Sequence, residues 1–438
     1  MGGVTSIRSN AVPVGGVTAL QPAPPTPVPA DIESLVEYLT PVITRFRRAS
    51  LPMQVDLDQQ TLTDGQQNSV RITSVGLGYR IVRKHVSTFS LVNANTAAAV
   101  AKISPWAPYN LQNNVTVTLN GGAVTYSADG QSTLLVSLRT RRGALAQNLS
   151  TGALSGALVS VTSDANATLT ASTATGQLSG YDSVSIAASS TGTVTMTWFE
   201  VIKLALSRNT LLGALPLQNN SVFAQLQTTL GQSGASSSTN QGTPFYDVAA
   251  GLTVTVSDVI SATYEFWSVP TDPTLYAPLV ANSYQVQQQK AIVTASSGAE
   301  AFKYNLPQNT YLLTAHFLST DSTGAYIVAS GDQMGGFTLV RLIYNGGSIR
   351  PVQLHPGRHR ALQFSDYGAD LGLLPGYFLW DGENTADDLS ESDQAGWVDT
   401  YAAATPQFSN DVASSVSLNM TTSITRETVI PGAVQTIG

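Results

Sequence analysis

From about residue 52 to its end, the chain alternates hydrophobic and polar residues in short runs that Gly, Asn, Asp and Pro interrupt. Alternation with a period of two places successive side chains on opposite faces of an extended strand, so these runs predict β-strands. The runs of the first half are SVRITSV, GYRIVRKHVSTFSLV, NVTVTLNGG, STLLVSLRTR, GALVSVTS, DSVSIAAS and GTVTMTWFEVIKLAL. Those of the second half are SVFAQLQTTL, GLTVTVSDVISATYEFW, KAIVTASS, NTYLLTAHFLS, GAYIVAS, FTLVRLIYNGG, RALQFSD, GYFLWD and SSVSLNMTTSI. Roughly eight strands in each half match the usual size of a jelly roll.

The strand pattern breaks once, at SRNTLLGALPLQNN, and then resumes in the same style. We therefore predict an all-β fold of two tandem eight-stranded jelly-roll barrels, a double jelly roll. The first barrel is assigned to residues 51–210 and the second to residues 211–438. Residues 1–50 precede them as an N-terminal arm and helix.

An Asn-Gly-Gly sequence ends one strand in each half, in NNVTVTLNGG (113–122) and GGFTLVRLIYNGG (335–347). Asn-Gly tolerates the two positive φ angles of a type I′ turn, so each copy predicts a β-hairpin. Similar hairpins in both halves favour two domains of like construction, although such hairpins also recur by chance in a Gly-rich chain.

The N-terminal segment has a different pattern. QPAPPTPVPA (21–30) predicts an extended, semi-rigid arm because its prolines are closely spaced. DIESLVEYLTPVITRFRR (31–48) then predicts an amphipathic helix that Asp31 caps and Pro41 kinks. Its apolar residues have the spacing of one helical face: Ile32, Leu35, Val36, Leu39, Ile43 and Phe46.

Charged residues make up only 11% of the 438 residues, whereas a typical soluble domain has roughly a quarter. A polar but uncharged surface suits a protein that packs against copies of itself, and secreted adhesins share this composition. The net charge of −7 argues against a basic protein that coats nucleic acid. The absence of cysteine excludes disulfides, thiolate catalysis and Cys-ligated zinc. No apolar run is long enough to span a membrane, so we expect a soluble chain.

Motifs that bring chemistry are scarce. No Walker loop, nucleophile elbow or dinucleotide fingerprint occurs. Pro356 and Gly357 lie between His355 and His359, and we expect them to prevent the helical i, i+4 presentation that a zinc pair would use. The acidic run 381–393 lacks EF-hand spacing and predicts a solvated loop, which leaves an ion site open. We therefore predict no enzymatic activity, no cofactor and no metal site.

Three stretches resemble the double jelly-roll major capsid proteins of tailless icosahedral viruses, the lineage of tectiviruses and adenovirus hexons. FEVIKLALSRNTLLGALPLQNNSVFAQLQTTL (199–230) is similar to the segment that closes the first barrel and opens the second. SATYEFWSVPTDPTLYAPL with FKYNLPQNTYLLTAHFLSTDSTGAY is similar to the early strands of the second barrel, and LLPGYFLWDG with SSVSLNMTTSI to its close. The likeness covers most of residues 50–438 and rests on diffuse patterns. The Ser/Thr/Ala/Gly-rich stretch 143–192 departs from it and is either extra strands or a surface loop.

The resemblance implies a major capsid protein that forms homotrimeric, pseudo-hexagonal capsomers over an internal membrane. Its implied partners are itself, neighbouring capsomers, minor capsid or vertex proteins and membrane lipid, without direct sequence-specific nucleic acid binding. Its implied location is the virion shell, assembled in host cytoplasm. The alternatives are a receptor-binding or adhesive β-rich surface protein and a polysaccharide-degrading enzyme.

Two groups of residues are candidate contact sites. The first is the helix, for which we predict contact with a membrane or another subunit through Ile32, Leu35, Leu39, Ile43, Arg45, Phe46, Arg47 and Arg48. The second group, for which we predict an intersubunit contact, is Arg139, Arg141 and Arg142. For both basic clusters, a solvated rim of salt bridges is the alternative.

Overall fold

The structure is a computed structural model. It describes residues 32–139, 145–147, 154–156, 159–173, 176–208, 211–295, 297–344, 349–357, 359–360, 373–381, 398–399, 406–416 and 419–430. The helices are α1 (Ile32–Ala49), α2 (Gly130–Arg139) and α3 (Ala277–Val280). The strands of the first half are β1 (Pro52–Thr63), β2 (Gln67–Ile72), β3 (Gly76–Asn93), β4 (Ala99–Ile103), β5 (Gln112–Leu119), β6 (Ala123–Ala128), β7 (Leu145–Gln147), β8 (Leu154–Gly156), β9 (Val159–Ser163), β10 (Ala167–Ala171), β11 (Tyr181–Ile186), β12 (Thr191–Lys203), β13 (Leu215–Leu217), β14 (Ala224–Leu230), β15 (Phe245–Tyr246) and β16 (Leu252–Trp267). Those of the second half are β17 (Ser283–Ala295), β18 (Gly298–Asn305), β19 (Tyr311–Thr320), β20 (Phe337–Tyr344), β21 (Ile349–Leu354), β22 (Tyr377–Asp381), β23 (Val398–Asp399), β24 (Gln407–Val412) and β25 (Met420–Ile430).

Four large sheets organise these strands. Sheet I has the order β1-β16-β3-β12-β9, with β13 also on β3, and sheet II has the order β10-β11-β4-β15. Sheet III has the order β2-β14-β5-β6-β17-β25-β19-β22, with β23 on β19, and sheet IV has the order β18-β24-β20-β21. The strands β7 and β8 form a separate hairpin.

Sheets I and II enclose the core of the first barrel. Alternate residues of β3, β12 and β16 are buried, as are alternate residues of β4 and β11. Phe89 of sheet I meets Phe245 of sheet II edge to face, with ring centroids 5.0 Å apart. The period-two pattern of the sequence therefore marks the two inner faces of a sandwich.

Aromatic side chains fill the core of the second barrel, between sheet IV and the second-half strands of sheet III. The ring of Phe317 contacts those of Phe302, Phe337, Phe378 and Phe408 at centroid distances of 6.0, 5.6, 5.7 and 5.2 Å. The edge-on contacts among these rings are the geometry that aromatic pairs prefer. The two sandwiches confirm the predicted all-β double jelly-roll fold.

The strand pairing places the change from one half to the other later than residue 210. The strands β14, β15 and β16 pair only with first-half strands among the described residues. From this pairing we infer a division after Trp267, before β17 begins at Ser283. Leu215–Leu217, which form β13 within the stretch that suggested the boundary at residue 210, pair with β3 of the first half.

The two halves share one sheet. The strand β6 of the first half pairs in parallel with β17 of the second, with Tyr126 opposite Val286 and Ser127 opposite Gln287. Side chains add to this junction: Trp106 donates to the Pro375 carbonyl at 3.0 Å. Backbone pairing therefore joins the barrels directly.

Several local predictions can be compared with the structure. The first Asn-Gly hairpin is confirmed, since Asn120 and Gly121 have φ of 49° and 72° and Gly122 donates to the Leu119 carbonyl. The second turn lies outside the described residues, but the flanking strands β20 and β21 pair antiparallel. STLLVSLRTR was wrong as a strand, because residues 130–139 form α2. GAYIVAS contains only isolated bridges, at Tyr326 and Ser330.

Candidate functional sites: a basic end and two buried polar clusters

The C-terminal half of α1 belongs to the core of its own chain. Phe46 is fully buried, and its ring lies edge-on to that of Trp267 at a centroid distance of 6.4 Å. Val42 and Ile43 are half-buried against the same cluster. Burial leaves Phe46 no surface for the predicted contact with a membrane or another subunit. The structure describes the helical backbone, but not the side chains, of Ile32, Leu35 and Leu39.

The three arginines at the end of α1 are exposed. Arg47 lies over the Trp267 ring, with its guanidinium carbon 5.7 Å from the ring centroid. Arg45 and Arg48 are exposed, whereas Phe46, which lies between them in the chain, is buried. Their position leaves these arginines accessible to an external partner.

Two further arginines lie near this end of sheet I. Arg71 stacks on Phe223, with 4.0 Å between the guanidinium carbon and the ring centroid, and Arg208 lies 5.9 Å from the ring centroid of Tyr79. Antiparallel pairing brings the start of β1, the start of β3 and the end of β16 together here. Exposed apolar residues occur at the same end: Leu51 is 69% exposed, Met53 48% and Val75 38%. We call the following residues at this end the basic end: Arg45, Arg47, Arg48, Leu51, Met53, Arg71, Val75 and Arg208. Two carboxylates lie at the same end, Glu265, which pairs with Arg80 and interacts with Arg208, and the exposed Asp272.

Of the second predicted arginine cluster, the structure describes only the backbone of Arg139. Arg139 is the last residue of α2, so it follows a helix instead of the predicted strand. Its side chain, and Arg141 and Arg142 altogether, lie outside the described positions. The helix forms because the Asp129 carboxylate accepts from the Ser132 amide at 2.8 Å, which satisfies a free donor at the helix start.

A buried cluster of charges lies on the inner face of sheet I. His85 on β3 contacts Asp258 on β16 through Nδ1 at 2.8 Å and Glu200 on β12 through Nε2 at 3.2 Å. Arg83 contacts the same Glu200 at 2.9 Å, and all four side chains are fully buried. The His85 ring also stacks on Trp198 at 3.8 Å. We call these five residues the histidine cluster.

The charges of the histidine cluster stabilise one another. Burial alone would lower the pKa of His85, but the charge of Asp258 and hydrogen bonds to both carboxylates raise it despite Arg83. Burial would raise the pKa of Glu200, but the charge of Arg83 lowers it, with help from His85. The pKa of Asp258 is also lowered, because attraction to His85 outweighs burial. The favoured state has two positive and two negative groups.

A second buried cluster crosses the junction between the halves. Glu427 on β25 is fully buried and accepts from Lys203 at 3.2 Å, from the Tyr284 hydroxyl at 2.5 Å and from the Thr314 hydroxyl at 2.8 Å. His316 lies 3.4 Å from the same carboxylate. Because Lys203 ends β12 and its partners are in the second half, this glutamate cluster ties the two barrels together.

The sequence analysis missed both clusters, although the sequence contained a signal. Arg83 and His85 occupy alternate, inward positions of a strand whose other inward residues are mainly apolar. Glu200 and Lys203 interrupt a hydrophobic run in the same way. Charges at inward positions of a predicted strand indicate buried ion pairs, since isolated buried charges are too costly.

The described residues contain no set of three or more His, Asp and Glu side chains suited to a metal ion. His359 lies one helical turn after His355, with its amide donating to the His355 carbonyl at 2.9 Å, so Pro356-Gly357 does not prevent a helical turn. The His359 side chain is buried near the Phe378 ring, whereas His355 is exposed. Within the described part of the acidic run, Asp381 ends β22. No helix among the described residues is long and apolar enough to cross a membrane.

The sequence matches no protein-family model and no curated protein. The fold is the double jelly roll of viral major capsid proteins. The STIV major capsid protein aligns with this chain at a TM-score of 0.55 and 16% identity, over 89% of this chain and 99% of that one. A chain from the atomic structure of Sulfolobus Turreted Icosahedral Virus aligns at a TM-score of 0.53 and 15% identity, over 88% of this chain and 92% of that one. At these identities the likeness is one of fold.

Proposed function

We propose that this chain is a viral major capsid protein. The observation that supports the proposal most strongly is the mutual coverage of the structural alignment, which includes 89% of this chain and 99% of the STIV major capsid protein. Both barrels and their connection are thus matched, rather than a single sandwich that many unrelated proteins contain. A surface with few charges is consistent with extensive burial between copies.

Assembly is the mechanism of this function. Each chain supplies two barrels, three chains form a homotrimeric capsomer with a pseudo-hexagonal outline, and capsomers cover an icosahedral shell. The partners are further copies of the chain and minor capsid or vertex proteins, and the location is the virion shell after assembly in host cytoplasm. The function requires no catalysis and no sequence-specific binding of nucleic acid.

The basic end faces the shell interior in this proposal. Its arginines attract anionic lipid headgroups, and Leu51 and Met53 supply exposed apolar surface beside them. The same arginines would bind a membrane with anionic lipids or a minor protein with an acidic surface. Binding to vesicles with and without anionic lipid distinguishes the two.

Light scattering on the purified protein tests the proposal. We expect a mass near 138 kDa, three times the chain mass of 46.0 kDa, that persists on dilution. Negative-stain images should show particles with a hexagonal outline. A monomer of 46.0 kDa at all concentrations would contradict the proposal and favour the adhesive alternative.

A further inference from the structure

The turn between β5 and β6 is open to solvent. Asn120, Gly121 and Gly122 are all exposed, and Gly122 closes the turn by donating to the Leu119 carbonyl at 3.0 Å. Apart from the two chain neighbours of Gly121, no described residue has an atom within 4 Å of the position that a Cβ of Gly121 would occupy. Water therefore has free access to Gly121.

An asparagine that precedes a glycine can react with the backbone. The Gly121 nitrogen loses its proton and attacks Cγ of Asn120, and the C–N bond of the side-chain amide breaks to release ammonia. The product is a cyclic succinimide, which water opens to aspartate or isoaspartate. Because glycine has no Cβ to hinder the attack, Asn-Gly is the sequence at which this step is easiest. Water is the only other reactant.

The surroundings of Asn120 favour this reaction. Its Oδ1 accepts from the Phe223 amide at 3.1 Å, and the same oxygen gains negative charge when the Gly121 nitrogen attacks Cγ. A backbone N–H at this distance is a donor of the kind that stabilises such an oxyanion. The Arg71 guanidinium, whose carbon lies 4.0 Å from the centroid of the Phe223 ring, adds a positive charge nearby.

Another asparagine of the chain provides a comparison. Asn309 is exposed and has a φ of 60°, close to the 49° of Asn120. It precedes Thr310, which is buried and whose β-branched side chain crowds the backbone amide. The two asparagines thus share exposure and a left-handed backbone, but only Asn120 precedes an open glycine.

We propose that Asn120 is a site of spontaneous deamidation in the folded protein. The reaction replaces a neutral amide with a carboxylate, which adds a negative charge beside Phe223, where Arg71 of the basic end stacks. Isoaspartate also lengthens the main chain within a turn that has two central residues, so it distorts the β5–β6 hairpin. Because β6 pairs with β17, this distortion acts next to the junction between the halves.

Peptide mass spectrometry on the full chain, incubated at mildly alkaline pH, tests the proposal. We expect Asn120 to lose its amide at least about tenfold faster than Asn309. Asn120→Gly is the control variant, because Gly-Gly also supports a type I′ turn but has no side-chain amide to lose. Ion-exchange chromatography should show an acidic species that accumulates in the unmodified chain and is reduced in Asn120→Gly. An Asn120 that keeps its amide as long as Asn309 does would overturn the inference.

A destabilised variant separates reaction of the folded turn from reaction after unfolding. Phe317→Leu alters the core of the second barrel, where Phe317 is fully buried, and should increase the unfolded population. Circular dichroism establishes that the variant folds. If the folded turn reacts, Asn120 should lose its amide at the same rate in Phe317→Leu and in the unmodified chain. A rate that rises with the unfolded population would show that only the unfolded chain reacts, and would also overturn the inference.

Discussion

At the scale of single residues, the most consequential feature is the amount of charge buried inside a protein with few charges. Arg83, His85, Glu200 and Asp258 are fully buried on three adjacent strands. Buried ions are tolerated only when they are paired, and removing one partner leaves another uncompensated. The histidine cluster therefore makes stability sensitive to the proton on His85.

The histidine cluster predicts loss of stability at alkaline pH. Since the folded pKa of His85 is raised above 6.5, its contribution is complete below that pH and disappears as the pH rises through the folded pKa. The lowered pKa values of Glu200 and Asp258 act in the opposite direction, and their contribution is lost only as the pH falls through those folded values. The free energy of unfolding, measured by chemical denaturation from pH 5 to 9, should fall towards the alkaline end.

The variant His85→Gln identifies the source of this pH dependence. It should be less stable than the unmodified chain at pH 6, and the difference should shrink as the pH rises. His355→Gln is the control because His355 is exposed, and it should preserve the original pH profile. If the free energy of unfolding changes with pH in the same way for His85→Gln and for the unmodified chain, His85 is not the source of the pH dependence.

The glutamate cluster predicts a non-additive pair of substitutions. Lys203→Met leaves the buried Glu427 without its cation and should destabilise the protein by about 3–5 kcal/mol. Glu427→Gln removes the charge but keeps an acceptor for Tyr284 and Thr314. The double variant should therefore be more stable than Lys203→Met alone, as measured by a double-mutant cycle. Additive losses would mean that the ion pair contributes no coupling.

At the scale of elements, α1 combines an anchor with an accessible basic segment. The apolar pattern of the sequence located the helix correctly. The pattern alone does not identify which residues pack against the apolar face of the helix. Phe46 and Trp267 are separated by more than two hundred positions in the chain, and only the folded structure places them together. The burial of Phe46 predicts that deletion of residues 1–50 destabilises the fold.

Replacing the anchor should weaken the fold. Phe46→Ala removes a fully buried aromatic side chain and should lower the free energy of unfolding by about 3–5 kcal/mol. The control Arg45→Ala, one position earlier and exposed, should change it by less than about 0.5 kcal/mol. Equal stabilities in denaturant titrations would mean that α1 docks only loosely.

Strand prediction from the sequence succeeded where one face of a sheet is buried. The pattern of β3, β12 and β16 alternates because their inner faces meet a core and their outer faces do not. It failed at α2, where Leu134, Leu135 and Val136 are all buried and the run lacks an open face. A short apolar run has no periodicity that separates a buried helix from a buried strand.

At the scale of the whole molecule, the sequence predicted two barrels but not how they join. The period of a strand determines which residues face inward, whereas the partner of an edge strand depends on contacts far apart in the chain. The pairing of β6 with β17 and the contact between Lys203 and Glu427 both join residues that are far apart in the chain. For the same reason the basic end was predicted only as far as α1, and Arg71 and Arg208 joined it through the fold.

The shared sheet predicts that neither barrel is stable alone. Residues 1–267 and 268–438 follow the inferred division, yet separating them breaks the β6–β17 pairing and leaves Lys203 and Glu427 without each other. Each fragment, expressed separately, should lack the cooperative thermal transition of the full chain, and mixing should restore it. A sharp transition in either isolated fragment would contradict this prediction.

The parallel pairing of β6 with β17 also restricts how a curved container can be made from this protein. Since backbone hydrogen bonds join β6 to β17, they oppose a change of angle between the two barrels from a flat facet to a folded edge. Every copy should then have the same internal shape wherever it sits in the proposed shell. The changes in direction that close a polyhedron must arise at the seams between neighbouring units.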